Sequence, residues 1–383
     1  MAGRELAIAR VFRPLFPERP PDGCDLGFRN VFEAARPTTQ AIRAKCEALW
    51  VDFRDLADQN FLEEFPFRFH QRWFEMYLGA SLRRGGLDVT ATKPGPDFTI
   101  RTPERRVCIE AVAPTGGHEH NVDAVREPIY RDARDEPIAV RVPHDQITLR
   151  LAQALRRKAD SFDRYRANGQ VTEADACIIA VNLRAIPHSW ADAQEFWYRS
   201  VYGVGNPFVG LDPAGGPAVY GREFRRFLQG AGGALEDAAM LLIADHAGIA
   251  GVLGSSADAG NMPNVAGDDF VLLPHAAARA PYPRSLIGVG REILLRPCAG
   301  QDAGWDVDVV DHGAQAPRGP ETLTIEFDGD TYECRWSIVG RDLHVQVGGR
   351  GCDIPIGGAD DPEQSARQIA AELIRGIRAT RRR

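Results

Sequence analysis

No stretch of the 383 residues runs for the ~18 consecutive apolar positions that a membrane-spanning helix needs. The first residues, MAGRELAIARVFRPLF, are interrupted by Arg4, Arg10 and Arg13, so neither a membrane anchor nor a secretory leader is expected, and a cytoplasmic location is. Cysteine is scarce. There are seven, Cys24, Cys46, Cys108, Cys177, Cys298, Cys334 and Cys352, an odd number without a single CxxC spacing, which argues against a disulfide scaffold or a zinc site and for reduced, buried thiols. An excess of positive charge is missing too: the net charge of -7 excludes a protein that coats nucleic acid through bulk electrostatics, so any such contact must be local. Glycine-rich pieces such as GVGNP lack the lysine and the strand-turn-helix context of a phosphate loop. Asp245-His246 has no G-x-S-x-G elbow to complete a hydrolase triad.

What is present is a 44% hydrophobic chain, long enough for one large or two modest cores. Residues 1–60 read as an extended Pro- and Arg-rich arm followed by a helix that Thr39 caps and that runs to about Leu56. Phe67 to Arg84 has helical periodicity, with Trp73, Phe74, Tyr77, Leu78 and Leu82 on one face, and stops at Gly85-Gly86. Strand patterns follow at Leu87 to Thr92, Asp97 to Arg101 and Arg106 to Ala113. A polar segment, Pro114 to His144, leads to a long helix, Gln146 to Ala167, and then to the apolar strand ACIIAVNL. A helix between two strands predicts a mixed sheet covered on its faces by helices. Residues 191–317 are expected to extend that sheet, through strands at Ala239 to Ala244, Gly248 to Leu253 and Phe270 to Leu273, with a helix end near Phe224 to Leu228. Pro297 to Gly319 reads as a linker. Residues 318–383 then form a small α+β appendage of three strands, the first two joined by the turn Asp328-Gly329-Asp330, and an amphipathic helix.

The residue that points to chemistry is Glu110. In VCIEAVAP, alternation puts Val107, Ile109, Ala111 and Ala113 on one sheet face and Cys108, Glu110 and Val112 on the other. A carboxylate among such neighbours either faces water on an edge strand or is paired, protonated or metal-bound. Asp97 lies thirteen residues upstream, after a proline at the mouth of the preceding strand. Two antiparallel strands joined by a turn at Pro103 to Arg105 bring both acids to one end of the sheet, a hard-oxygen pair suited to Mg²⁺. On the helix Gln146 to Ala167, the apolar stripe Leu151, Leu155, Phe162, Tyr165 is completed at Lys158. That lysine either snorkels out of the core boundary or reaches the carboxylates. Glu75, at the edge of the first helix's aromatic face, is a possible accessory that orients water. His118, Glu119 and His120 sit in a loop at a spacing that shares no helix face, and are expected to be solvated.

Together the helix bearing Glu75, the pair Pro96-Asp97, the Glu110-Ala111-Val112 strand, the following helix and ACIIAVN resemble the αβββαβ core of the PD-(D/E)xK, or restriction-endonuclease-like, superfamily, over about residues 61–190. The resemblance implies an α/β fold with Asp97, Glu110 and the backbone carbonyl of Ala111 as ligands of Mg²⁺ or Mn²⁺, and hydrolysis of DNA phosphodiester bonds, with RNA also conceivable. It implies that Arg150, Arg156 and Arg157 position the nucleic-acid backbone, and that the ends of the chain can join a homodimer or a protein partner. One position departs from the pattern. Val112 stands where the superfamily carries a lysine, and Lys158 is the candidate substitute on the neighbouring helix. The departure leaves open a second expectation, a non-catalytic module of the same fold that binds nucleic acid or protein.

Overall fold

The computed structural model describes residues 13–91, 93–118, 120–129, 139–191, 193–210, 219–283, 286–288, 290–297, 305–312, 318–327, 330–339, 342–347, 350–355 and 362–381. It divides into two units, Met1–Ile287 with Glu292–Val310, and Gly288–Arg291 with Asp311–Arg383. In the first, helices α1 (Leu26–Glu33), α2 (Pro37–Phe53), α3 (Phe61–Glu64) and α4 (Phe69–Arg84) precede strands β1 (Val89–Thr90), β2 (Phe98–Arg101) and β3 (Arg106–Val112). Then come α5 (His144–Ala167), β4 (Ala176–Asn182), α6 (Ala193–Val201), two hairpins, β5 (Val204–Gly210) with β6 (Val219–Phe224) and β7 (Phe227–Gln229) with β8 (Leu235–Asp237), and strands β9 (Gly251–Ser255), β10 (Val271–Pro274), β11 (Arg291–Pro297) and β12 (Trp305–Asp311).

The central sheet has eight strands in the order β1-β2-β3-β4-β9-β10-β11-β12. It is mixed: β1, β2 and β3 pair antiparallel, β3-β4-β9 parallel, and β9-β10 antiparallel. A parallel pair needs a crossover, and α5 supplies the one between β3 and β4. The strand alternation explains the two layers. Val107, Ile109 and Ala111 of β3, with Ile178 and Ala180 of β4, face a core built with α1 to α4. Cys108 of β3, with Cys177, Ile179 and Val181 of β4, faces a core built with α5 and α6. Burial pushes the Cys108 thiol up to about 11 and the Cys177 thiol up to about 12, so both stay protonated and inert. The six cysteines among the described residues are unpaired; Cys298 lies outside them.

Helix α4 is buried through almost its whole length. It packs against α2 at Gly79, where a Cβ would lie 2.7 Å from the Phe53 ring. Phe53, Phe61 and Phe65 fill the space around that contact, with ring centroids 5.0 and 5.7 Å apart along the series. Each such buried side chain contributes about 1.5–3 kcal/mol.

Several elements differ from expectation. The Pro- and Arg-rich start packs on the core from residue 13 onward, and it is not extended throughout, since it contains α1. Leu15 and Phe16 are buried, Phe16 packs against Phe28, Phe32 and Phe65, and the Trp50 indole donates to the Arg13 carbonyl at 2.9 Å. Those apolar contacts outweigh the local preference of the prolines for extended chain; residues 1–12 lie outside the described residues. Thr39 is three residues inside the N-cap, Arg36, and its hydroxyl accepts the Arg36 N–H at 3.0 Å. Phe224 to Leu228 holds the end of β6 and the start of β7, with Arg225 and Arg226 between them, rather than a helix end. Ala239 to Ala244 is a pair of 3-10 turns, not a strand. The expected linker contains β12, and β11 runs into its start.

In the second unit β13 (Arg318–Phe327), β14 (Asp330–Val339), β15 (Asp342–Val347) and β16 (Arg350–Pro355) form an antiparallel meander, one strand more than expected, followed by α7 (Pro362–Arg381). Leu323, Trp336, Ile338, Leu343 and Val345 pack with Ala366, Ala370 and Ile374 of the helix. Phe327 pairs with Asp330, while residues 328 and 329 of the expected turn lie outside the described residues.

At the start of β4, Asp175 receives the Arg106 guanidinium and the Thr172 N–H. Burial works against its charge, but these partners hold its carboxyl below the ordinary 3.8. A depressed carboxyl contributes stability above its unfolded value and loses it as pH falls through the folded one. Asp175→Asn is therefore expected to cost about 1–3 kcal/mol at pH 7, with the gap to the native protein closing below pH ~4; urea unfolding at several pH values measures it, and a gap independent of pH would refute it.

Candidate functional site

The β2-β3 hairpin sets the geometry. Its register pairs Phe98 with Ile109, so Asp97, just before β2, meets the outgoing end of β3. There Asp97 Oδ2 accepts the backbone N–H of Ala111 at 2.9 Å, and Oδ1 accepts from Lys93 Nζ at 2.7 Å. Glu110 points to the other sheet face, where α5 crosses. Lys158 and Tyr165 lie two turns apart on one side of that helix, and both reach it: Lys158 Nζ is 2.6 Å from Glu110 Oε2, and the Tyr165 hydroxyl donates to Oε1 at 2.8 Å. Lys158 Nζ is also 3.8 Å from Asp97 Oδ2. Asp97, Glu110 and Lys158 are thus brought together, with Glu110 only 3% exposed and Lys158 22%.

Glu75 approaches from α4, on the opposite face. Its carboxylate accepts from Gln71 Nε2 at 2.8 Å and from Arg72 Nη1 at 2.6 Å. Gln71 also accepts the Ala113 N–H at 2.8 Å and donates to the Ala111 carbonyl at 3.3 Å, tying the helix to the end of β3. Arg72 is held in turn by Glu64 and Asp58.

Three carboxylates here are close enough to repel. Burial raises the Glu110 carboxyl, and the charge of Asp97 raises it further, against the opposing pull of Lys158 and Tyr165. Glu75 is raised for the same two reasons, burial and Asp97, against Arg72 and Gln71. Burial of Lys93 opposes its charge, but Asp97 beside it more than compensates and raises the ammonium. Among the described residues no group of three or more His, Cys, Asp or Glu side chains converges tightly enough to hold a metal by itself. The donor set still suits a hard divalent ion, because Mg²⁺ keeps several waters and takes only one or two carboxylates from the protein. The repulsion around Asp97 is what a cation would relieve.

The basic residues expected to hold nucleic acid are differently disposed. Arg156 is engaged by the buried Glu236, with Nε 2.8 Å from Oε2. Arg150 donates to the Thr115 carbonyl at 3.2 Å and to Gln153 at 3.3 Å, and burial and the nearby Arg157 lower its guanidinium. Arg157 is exposed and has no ion-pair partner among the described residues. His118 and His120 are both exposed, as expected of a solvated loop, and Glu119 lies outside the described residues.

Lys93, Gln71, Arg72 and the polar role of Tyr165 are not among the expected site residues. A signal for Lys93 exists in the composition. Only three of the 46 basic residues are lysines, Lys45, Lys93 and Lys158, and two of these three contact the carboxylates. Where the chain otherwise uses arginine, it places compact ammonium charges here. Gln71 stands one helical turn before Glu75, a spacing visible in the sequence. No protein-family model, curated protein or solved structure matches this chain.

Proposed function

We propose that the chain is a metal-dependent nuclease that hydrolyses DNA phosphodiester bonds, built on a restriction-endonuclease-like αβββαβ core formed by α4, β1 to β3, α5 and β4. The observation that carries this reading is the contact of Lys158 with both Glu110 and Asp97. A lysine from the helix takes the place beside the two acids that Val112 leaves empty on the strand.

Asp97 and Glu110, with the Ala111 carbonyl, would hold Mg²⁺ or Mn²⁺, which when bound supplies Lewis acidity toward the phosphate and lowers the pKa of water. The protein's own groups do the rest. Lys158 favours the charged form of the buried Glu110, against burial and Asp97, and would present positive charge to the phosphate as negative charge develops on it. Tyr165 fixes the plane of the Glu110 carboxylate. Gln71 and Arg72 hold Glu75, whose raised carboxyl is suited to orient the attacking water and accept its proton. Arg157 is the exposed cation left to steer the backbone, whereas Arg156, bound to Glu236, contributes less to it.

The test is cleavage of supercoiled plasmid and of single-stranded DNA by the native protein in Mg²⁺, in Mn²⁺ and in excess chelator. Cleavage that requires the metal is expected. Intact DNA under every condition, with the protein folded and DNA bound, would select the non-catalytic module instead.

A further inference from the structure

A cleft of ≈ 610 Å³ opens directly beside the carboxylates, between the α2-α3 loop and the β1-β2 turn. Its volume falls in the range of small-ligand sites, roughly 300–1,000 Å³. Phe53, Leu56, Phe61 and Phe98, all buried in the core, form an apolar floor. At the rim stand Gln59 and Asn60, exposed, with no side-chain hydrogen bond among the described residues. Their amides offer both donors and acceptors. The mouth is shared with the candidate site through Glu75, Asp97 and Lys93.

Charge decides what enters. The lining acids, Asp55, Asp58, Glu75 and Asp97, outnumber the cations Arg72 and Lys93, and Arg72 is already occupied by three carboxylates. A phosphate-rich ligand is repelled from the interior. An uncharged, flat, partly apolar body with hydrogen-bonding edges is not. Lys93, half-exposed at the mouth with its ammonium on Asp97, is the cation among the described lining residues placed to meet a phosphate attached to such a body.

Resting on the nuclease reading, we propose that this cleft takes the base and sugar of one unstacked nucleotide next to the scissile phosphate, so that the preferred substrate is single-stranded or frayed DNA. A base inside an intact duplex cannot reach a recess of this kind without leaving the stack, at a cost that unpaired strands avoid.

Two measurements on the full chain test it. The first compares cleavage of one sequence as single strand and as duplex in Mn²⁺. The second titrates a single strand carrying 2-aminopurine in chelator, where emission rises as the base leaves its neighbours. Gln59→Ala/Asn60→Ala, at exposed positions, removes the amide edges, and Ala91→Trp fills the recess. The native protein is expected to cleave the single strand at least about tenfold faster than the duplex. The double variant should raise KM for the single strand about five- to tenfold with little change in kcat, and both variants should suppress the emission rise. Equal rates on the two substrates, with both variants at native values, would overturn the cleft assignment and leave the nuclease standing. Absence of any cleavage, with the emission response present in the native protein and lost in the variants, would sink the nuclease and retain the nucleotide cleft.

Discussion

Glu110→Gln is expected to lower metal-supported DNA cleavage by at least about 10³-fold, equivalent to about 4 kcal/mol of transition-state stabilisation, while leaving the protein as stable as before or slightly more so. The two halves of this result have different causes. The amide is nearly the same size and still accepts from Tyr165, but it is a poor ligand for a hard cation and removes one of the charges that hold it. The native carboxylate, 3% exposed and raised by burial and by Asp97, carries a desolvation penalty that the neutral amide does not. Lys158 loses its 2.6 Å partner but stays 3.8 Å from Asp97 and keeps access to solvent. Asp97→Asn should behave alike in activity, because it removes the other carboxylate proposed to hold the metal. Plasmid nicking and thermal unfolding on the same preparations measure the two effects. Full activity in either variant would remove these acids from the mechanism.

Lys158→Met should differ in stability, costing about 2–4 kcal/mol at pH 7 as well as most of the activity. Deleting one partner of a buried ion pair leaves the other charge uncompensated, and here Glu110 would keep only the Tyr165 hydroxyl. The pH dependence has a definite sign. The Glu110 carboxyl is raised above its ordinary 4.5 in the folded protein, and losing Lys158 raises it further. The folded state therefore binds the proton before the unfolded one does, and the deficit shrinks as pH falls from neutral toward that ordinary value. Adding Glu110→Gln to Lys158→Met should restore most of the stability, a coupling that a double-mutant cycle reads directly. A Lys158→Met protein with native stability at pH 7 would mean that the ammonium spends its time in solvent, away from Glu110.

Reading the sequence located the helix-strand-strand-strand-helix-strand series to within a few residues, because its signals are local. A 3.6-residue period, a two-residue alternation and a Gly-Gly stop are properties of short windows. Long-range competition decided elsewhere. Prolines between residues 13 and 37 suggested an extended arm, yet α1 forms within it and Leu15 and Phe16 lie in the core with Phe28 and Phe65, partners that no local window contains. Strand β12 falls where composition suggested a linker, since an edge strand is specified by its neighbour in the sheet as much as by its own residues.

The same division holds at the site. The strand alone left Glu110 two states, facing water on an edge or buried and compensated, and the place of β3 between β2 and β4 decided for burial. That Asp97 stands beside it followed from a short hairpin, whose register the turn length dictates. Whether Lys158 faces these acids or solvent was not determined by the sequence, because a lysine on an apolar seam is compatible with both. The crossover of α5 over β3 decided it, by setting the helix's rotation so that Lys158 and Tyr165 meet Glu110 together. Scarcity of lysine hinted at Lys93 and helical spacing at Gln71, but their roles were set only in three dimensions, where the β1-β2 turn brings Lys93 to Asp97 and α4 brings Gln71 and Arg72 to Glu75. Alternation and periodicity say which side chains leave water; only the packing of helix on sheet says which charges they meet there.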